Sequence, residues 1–239
     1  MSGSLVEIDL VIFDKDGTLI EFDMMWGGWA MDLAASLERA SGKPLENGLF
    51  AMLGLDPASG RVLPGGALAA TPMARLRERT RELLISTGLT GPAADRVLDQ
   101  AWHTPDPVRL ARPLADLGGL FGRLRGAGHL VAVATSDDRD PTARTLAALG
   151  LTNAIDAVVC ADDGVAVKPA PDMVVHLCAY LGVDPARTAV VGDSVADLEM
   201  GRRAGVGLVV GVLTGVGDAS HLAPAADLVL ASVADLEND

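Results

Sequence analysis

The stretch Phe13-Asp14-Lys15-Asp16-Gly17-Thr18-Leu19 ends an apolar run of Ile8, Leu10, Val11, Ile12 and Phe13. A short, nearly continuous apolar segment of this kind predicts a strand buried on both faces, as in a parallel sheet. Such a strand must end in a turn. Gly17 and Thr18 supply one, glycine because it tolerates backbone angles that other residues avoid. Asp14 and Asp16 then stand where the strand runs out, two positions apart, which on an extended chain directs both carboxylates to one side. In open parallel sheets, ligands bind at that end of the strands. Two carboxylates in one crevice raise the pKa of one member or require a cation. An Asp-Gly turn capping a helix would use the same residue types, so the rest of the chain decides between the two readings.

The chain has 239 residues, enough for one large domain or a domain carrying an insertion. Apolar residues make up 49% and charged residues 21%, the balance of a globular chain. Aromatics are only 3%, so Ala, Val and Leu must build the core. A net charge of −13 argues against nucleic acid and against anionic membrane surfaces as partners. A small phosphorylated substrate stays possible, since one metal ion and one placed lysine can reverse the local field. The N-terminus has no basic region and no long apolar stretch. The longest uncharged run, Ala204 to Gly217, is too short and too glycine-rich for a membrane span. Cys160 and Cys178 form no CxxC. Cys178 shares the apolar side of a helical pattern with Val174, Leu177 and Leu181, as a reduced core thiol would. These features predict a cytoplasmic protein.

After Leu19 the pattern turns helical without strand signals, over Met24–Ala40, Leu45–Leu53, Ala67–Ser86 and Ala93–Trp102. The segment Thr104-Pro105-Asp106-Pro107 predicts a linker, because its two prolines oppose any regular element. From Pro113 onward strands and helices alternate. The expected helices are Leu114–Arg125, Pro141–Leu149, Pro171–Leu181 and Val195–Ala204. The expected strands are Leu130–Ala134, Ala157–Cys160, Ala189–Val191, Val206–Val210 and Leu228–Leu230. Repeated strand–helix units imply an α/β fold with a doubly wound parallel sheet. The helical region is then an insertion between the first strand and the second, giving residues 1–20 with 108–239 as the core and 21–107 as the inserted domain.

Four polar groups recur at the expected carboxyl ends of strands or in the loops after them: Asp14 with Asp16, Thr135 with Ser136, Lys168, and Asp193 with Asp197. Each has an ordinary explanation. Thr135 and Ser136 can cap the next helix. Lys168 can be a solvated surface lysine, although the chain has only three lysines. Asp197 can be a first-turn acid favoured by the helix dipole. Coincidence of all four at one edge of the sheet favours a site.

In order and spelling, Asp-x-Asp-Gly-Thr, a strand ending in Thr-Ser, Lys-Pro and Gly-Asp-Ser-x-x-Asp resemble the four motifs of the haloacid dehalogenase superfamily of phosphohydrolases, across the whole chain. The insertion is similar to the small all-helical cap of that superfamily's phosphoglycolate phosphatase/β-phosphoglucomutase branch, on a Rossmann-like core. The resemblance implies a phosphatase of small-molecule phosphomonoesters. Asp14 would be the nucleophile that becomes an aspartyl phosphate, splitting a very slow hydrolysis into two steps. Asp16 would be the acid and base, protonating the leaving oxygen and then activating water. Mg²⁺ suits an all-oxygen site, held by the Asp14 carboxylate, the Asp16 backbone carbonyl and Asp193. Lys168, Thr135 and Ser136 would hold phosphoryl oxygens, with Asp197 orienting Lys168 or metal-bound water from behind. The Lys15 side chain is expected to point away from the site.

Asp16 disfavours dehalogenase and phosphonoacetaldehyde hydrolase chemistry, since both groups lack an acid there; the latter also needs a cap lysine, and the only one here is Lys43, in an expected loop. A phosphomutase of the β-phosphoglucomutase type and a non-hydrolytic phospho-aspartate signalling or binding module are the alternatives. Substrate identity belongs to the insertion. Trp26 could wall a pocket or pack the core, and Arg61 could reach a second anionic group or remain solvated. The substrate itself and the oligomeric state are open at this level.

Overall fold

The computed structural model describes residues 5–63, 66–103 and 111–236. Its strands, in chain order, are β1 (Leu10–Phe13), β2 (Leu55–Asp56), β3 (Arg61–Val62), β4 (Leu130–Ala134), β5 (Ala157–Val159), β6 (Thr188–Gly192), β7 (Leu208–Val212) and β8 (Leu228–Leu230). Six of them form one parallel sheet in the order β5-β4-β1-β6-β7-β8. β1 is central, and all four of its residues are buried, as its unbroken apolar run requires. The chain lays β4 and β5 on one side of β1, then returns to lay β6, β7 and β8 on the other. The order therefore reverses at β1, which is where a parallel sheet opens a crevice at its carboxyl ends.

Alternate residues of β1 serve opposite faces. Leu10 and Ile12 join a buried cluster with Met173, Val174, Leu177 and Cys178 of the helix Asp172–Leu181 and Leu198 of the helix Val195–Ala204. Phe13, one position out of phase with Ile12, meets Phe121 of the helix Leu117–Gly126, ring centroids 5.3 Å apart. At both sheet edges an aspartate just before the edge strand accepts the N–H of the second residue of the neighbouring strand. Asp156, before β5, accepts from Val131 N at 2.8 Å and pairs with Arg125. Asp227, before β8, accepts from Val209 N at 2.8 Å and pairs with Arg202. Buried backbone donors are thus paired where the ladder runs out.

The chain divides into two compact units, Met1–Glu21 with Pro107–Asp239, and Phe22–Asp106. Within the first, the departing and returning segments pair beside β1: Glu21 N donates to Arg112 O at 2.8 Å and Leu114 N to Leu19 O at 2.9 Å. The second unit holds the helices Phe22–Ser41, Glu46–Leu53, Ala67–Ala70, Met73–Ser86 and Gly91–Ala101. It differs from expectation in two ways. The helix expected over Ala67–Ser86 breaks at Thr71-Pro72, because proline lacks the donor and drives the residue before it out of helical geometry; Thr71 has φ −112° and ψ 126°. The unit is also not all helical, since β2 and β3 pair as an antiparallel ribbon. Two-residue strands are too short to carry a period. Their turn is held by Asp56, which accepts from Ala58 N and the Ser59 hydroxyl.

In the first unit the strand expected over Val206–Val210 starts later, at Leu208, because Val206 N still bonds back to Gly201 O at the end of the preceding helix. The helix expected from Leu114 begins at Leu117, after Asp116 caps it through Gly119 N. The expected linker over Thr104–Pro107 lies outside the described residues. No described helix is long and apolar enough to cross a membrane. Since Phe121 is fully buried against β1, Phe121→Ala should lower unfolding free energy by about 3–5 kcal/mol. Urea unfolding would detect this as a lower midpoint, and a change under about 1 kcal/mol would contradict the packing described.

Candidate active site

Asp14, Thr135 and Asp193 each stand one step beyond a strand of the sheet, Lys168 lies in the loop after β5, and Asp197 in the first turn of the helix after β6. Asp14 follows β1, its N–H donating to Val191 O at 2.9 Å. Thr135 follows β4, donating to Val159 O at 3.0 Å. Asp193 follows β6, and Lys168 comes from the loop after β5. The parallel register of β1 with β4 and β6 brings these ends level, Phe13 standing opposite both Val133 and Val191.

Lys168 is the hub. Its Nζ lies 2.5 Å from Asp14 Oδ1 and 2.5 Å from Asp197 Oδ1. One carboxylate oxygen from each of Asp14, Asp193 and Asp197 falls within 4.8 Å of the others. All four side chains are buried. Burial pushes the Asp14 carboxyl up to about 7; Lys168 pulls it down, and the neighbouring Asp197 and Asp16 push it further up. Asp193 is raised well above the usual carboxylate range, first by burial and then by Asp14 and Asp197. Burial works against the Lys168 charge, but Asp14 and Asp197 outweigh it and keep the ammonium above its ordinary range. Three buried carboxylates against one ammonium leave negative charge in excess, with hard oxygen donors only. That donor set fits a divalent cation such as Mg²⁺.

Asp197 serves two partners at once. Its Oδ2 closes a capping box with Ser194, accepting from Ser194 N at 3.1 Å, while Ser194 Oγ accepts from Asp197 N at 3.3 Å. Its Oδ1 is left for Lys168. Asp197 therefore caps its helix and contacts Lys168 at once. Thr135 is buried, and its Oγ1 accepts from Asp137 N at 3.1 Å; Ser136, next to it, is half-buried.

Asp193 is held from a loop that sequence reasoning passed over, Thr214 to Gly217 after β7. Val216 N donates to Asp193 Oδ2 at 2.8 Å, Gly217 N to Asp193 O at 2.9 Å, and the Thr214 hydroxyl to Gly17 O at 2.6 Å. The Thr18 hydroxyl reaches Asp193 Oδ1 at 3.4 Å. A Cβ on Gly215 would lie 1.9 Å from Asp193 Oδ2, and one on Gly17, where φ is +88°, 2.5 Å from the same atom. Neither position can carry a side chain without moving the carboxylate. The signal available was the Gly-Val-Gly spelling of a post-strand loop, which is too common to stand alone.

Lys15 departs from expectation. Its side chain is buried rather than turned away, with Nζ 2.6 Å from Asp16 Oδ2 and 3.0 Å from Asp137 Oδ2. Strand alternation would have separated Lys15 from Asp16. β1 ends at Phe13, however, and the chain is already turning at Asp16, which bridges to Ile20. The Asp16 carboxylate accordingly pairs with Lys15 and is not part of the Asp14–Asp193–Asp197 cluster. Trp26 and Arg61 belong to the other unit. Trp26 is buried and meets Trp29 edge-on at 5.7 Å; Trp29 in turn meets Trp102 and donates its indole N–H to His103 O at 2.7 Å. Arg61 is exposed on β3.

Comparison with known proteins agrees with this geometry. Residues 8–205 match the family model of haloacid dehalogenase-like hydrolases. Phosphoglycolate phosphatase of Aquifex aeolicus is 26% identical over 199 residues, covering 82% of this chain and 81% of that one. N-acetylmuramic acid 6-phosphate phosphatase of Pseudomonas aeruginosa is 26% identical over 204 residues, covering 84% and 80%. The crystal structure of a family IA, variant 3 hydrolase from Entamoeba histolytica shares the fold at a TM-score of 0.67 and 18% identity, covering 96% of each chain. With its parallel sheet, the four-residue cluster at its carboxyl edge and a family match over most of its length, this chain belongs to the haloacid dehalogenase-like hydrolase family, as an enzyme of the phosphatase type.

Proposed function

We propose that the protein hydrolyses a small phosphomonoester, of the phosphoglycolate kind or another small metabolite, through an aspartyl phosphate on Asp14, with Mg²⁺ as cofactor. The observation that carries this reading is the Lys168 ammonium bonded to Asp14 and Asp197 at once, with Asp193 beside them. Lys168 pulls the Asp14 carboxyl down against burial and fixes its aim, favouring the ionised form that a nucleophile requires. An Asp14 carboxylate oxygen attacks phosphorus, the bond from phosphorus to the leaving oxygen breaks, and that oxygen takes the proton of the Asp16 carboxyl. Asp16, now a carboxylate, takes a proton from water, whose oxygen attacks the same phosphorus and releases inorganic phosphate from Asp14. Lys168, the Thr135 hydroxyl and Ser136 hold the phosphoryl oxygens as charge builds on them.

Asp14 and Asp193 would hold Mg²⁺ through their carboxylates, and Asp16 through its backbone carbonyl as in the family, with Asp197 behind Lys168. When bound, the ion supplies positive charge to neutralise the phosphoryl oxygens. The two relatives named as phosphatases of phosphoglycolate and of N-acetylmuramic acid 6-phosphate support a small, anionic substrate. The unit Phe22–Asp106 then acts as the cap that chooses the substrate.

A phosphate-release screen over small phosphomonoesters tests the reading, and absence of turnover on every one with Mg²⁺ present would refute it. Asp14→Asn should cost at least about a thousandfold in kcat while leaving the melting temperature near that of the parent. Chelation by EDTA should abolish turnover, and added Mg²⁺ should restore it. Gly215→Ala should raise the Mg²⁺ concentration for half-maximal rate by about tenfold or more, since its Cβ displaces Asp193. An unchanged Mg²⁺ requirement would remove Asp193 from the metal site.

A further inference from the structure

Two buried lysines divide the carboxylates at the tip of β1 between them. Lys168 takes Asp14 and Asp197, and Lys15 takes Asp16 and Asp137. Lys43, the third lysine, is exposed. Of the second triad only Asp16 has a part in the reaction as derived so far; Lys15 and Asp137 have none. A lysine is rarely buried unless its charge is paired, and Lys15 is only 1% exposed. Its partners come from different loops: Asp16 from the turn after β1, Asp137 from the loop after β4. That second loop is itself braced, because Asp137 N donates to Thr135 Oγ1. The Lys15 ammonium therefore ties the turn that carries Asp16 to the loop that carries Thr135.

We propose that Lys15, anchored by Asp137, is a positioning residue that sets where the Asp16 carboxyl stands relative to the leaving oxygen. The inference rests on the assignment of Asp16 as acid and base under the proposed function. An ammonium 2.6 Å from Asp16 Oδ2 restrains one carboxyl oxygen and so orients the other. Without that restraint Oδ2 loses its ammonium partner, and proton transfer loses part of its fixed geometry. Lys15 itself touches no reacting atom.

The loss has a signature that simple destabilisation lacks. An alkoxide leaving group needs the Asp16 proton as its bond to phosphorus breaks, whereas p-nitrophenolate leaves without one. kcat/KM reports steps up to that bond cleavage, so it separates the two cases. The test uses the full chain with Mg²⁺, assayed on p-nitrophenyl phosphate and on whichever of phosphoglycolate and glycerol 3-phosphate the parent hydrolyses faster. Lys15→Met and Asp137→Asn should each lower kcat/KM on the alkyl phosphate by about tenfold or more. On p-nitrophenyl phosphate, kcat/KM should stay within about threefold of the parent. Should Lys15→Met fail to fold, Asp137→Asn carries the test alone by the same criterion.

Equal losses on both substrates, or no loss on either, overturn the proposal. Asp16→Asn separates this outcome from failure of the underlying assignment. If Asp16→Asn shows the selective loss and the other two variants do not, the role of Lys15 falls alone. If Asp16→Asn shows no selective loss, or the parent hydrolyses neither kind of ester, the acid assignment falls and the role of Lys15 with it.

Discussion

Like charges forced together at the end of one strand are what the rest of this structure is arranged to hold. Asp14, Asp193 and Asp197 offer oxygens within 4.8 Å of one another in a buried place, and a single lysine stands among them. In water such a cluster would disperse. Here its members are fixed to the ends of three hydrogen-bonded elements, β1, β6 and the helix that follows β6, so separation would break the sheet. The backbone also comes closer than a side chain would allow, with Gly17 and Gly215 pressed on Asp193 from two directions. Charge crowding of this kind is tolerable only where the fold enforces it and a cation relieves it.

The same residue type behaves in opposite ways elsewhere in the chain. Asp218 caps the short helix Ala219–Leu222, and hydrogen bonds from Ser220 and His221 bring its carboxyl down to about 2. Asp14 is taken up to about 7, chiefly by burial. Asp156 and Asp227 spend their charge on arginines and strand-end N–H groups at the far ends of the strands. The net charge of −13 is therefore no uniform field. Acids at the amino ends of the strands satisfy backbone donors and stabilise the sheet. Acids at the carboxyl ends are crowded and available for chemistry.

The inserted unit shows how an aromatic-poor chain spends its few large rings. Trp26, Trp29 and Trp102 meet edge-on in series and tie helix Phe22–Ser41 to helix Gly91–Ala101. Trp26, placed soon after the first motif, is buried and meets Trp29 edge-on. Arg61, at the exposed side of a two-residue strand, was legible only as a basic residue in a glycine-rich loop.

The parallel sheet, the insertion after its first strand and four of the polar groups at its edge were legible in the order of residues alone. Those features are carried by local signals: apolar runs, glycine and proline punctuation, and polar residues at strand ends. Tertiary structure alone decided that Lys168 faces Asp14 and Asp197 together, and that Asp197 both caps its helix and holds the lysine. It also decided that the Thr214–Gly217 loop grips Asp193. Lys15 is the sharpest case. Alternation along an extended strand separates neighbours, but the strand had already ended, and a long flexible stem can reach whatever partner the turn and a loop 122 positions away (Asp137 less Lys15) bring near. No period in the sequence encodes a meeting of that kind, because it depends on where two loops converge and not on either loop alone.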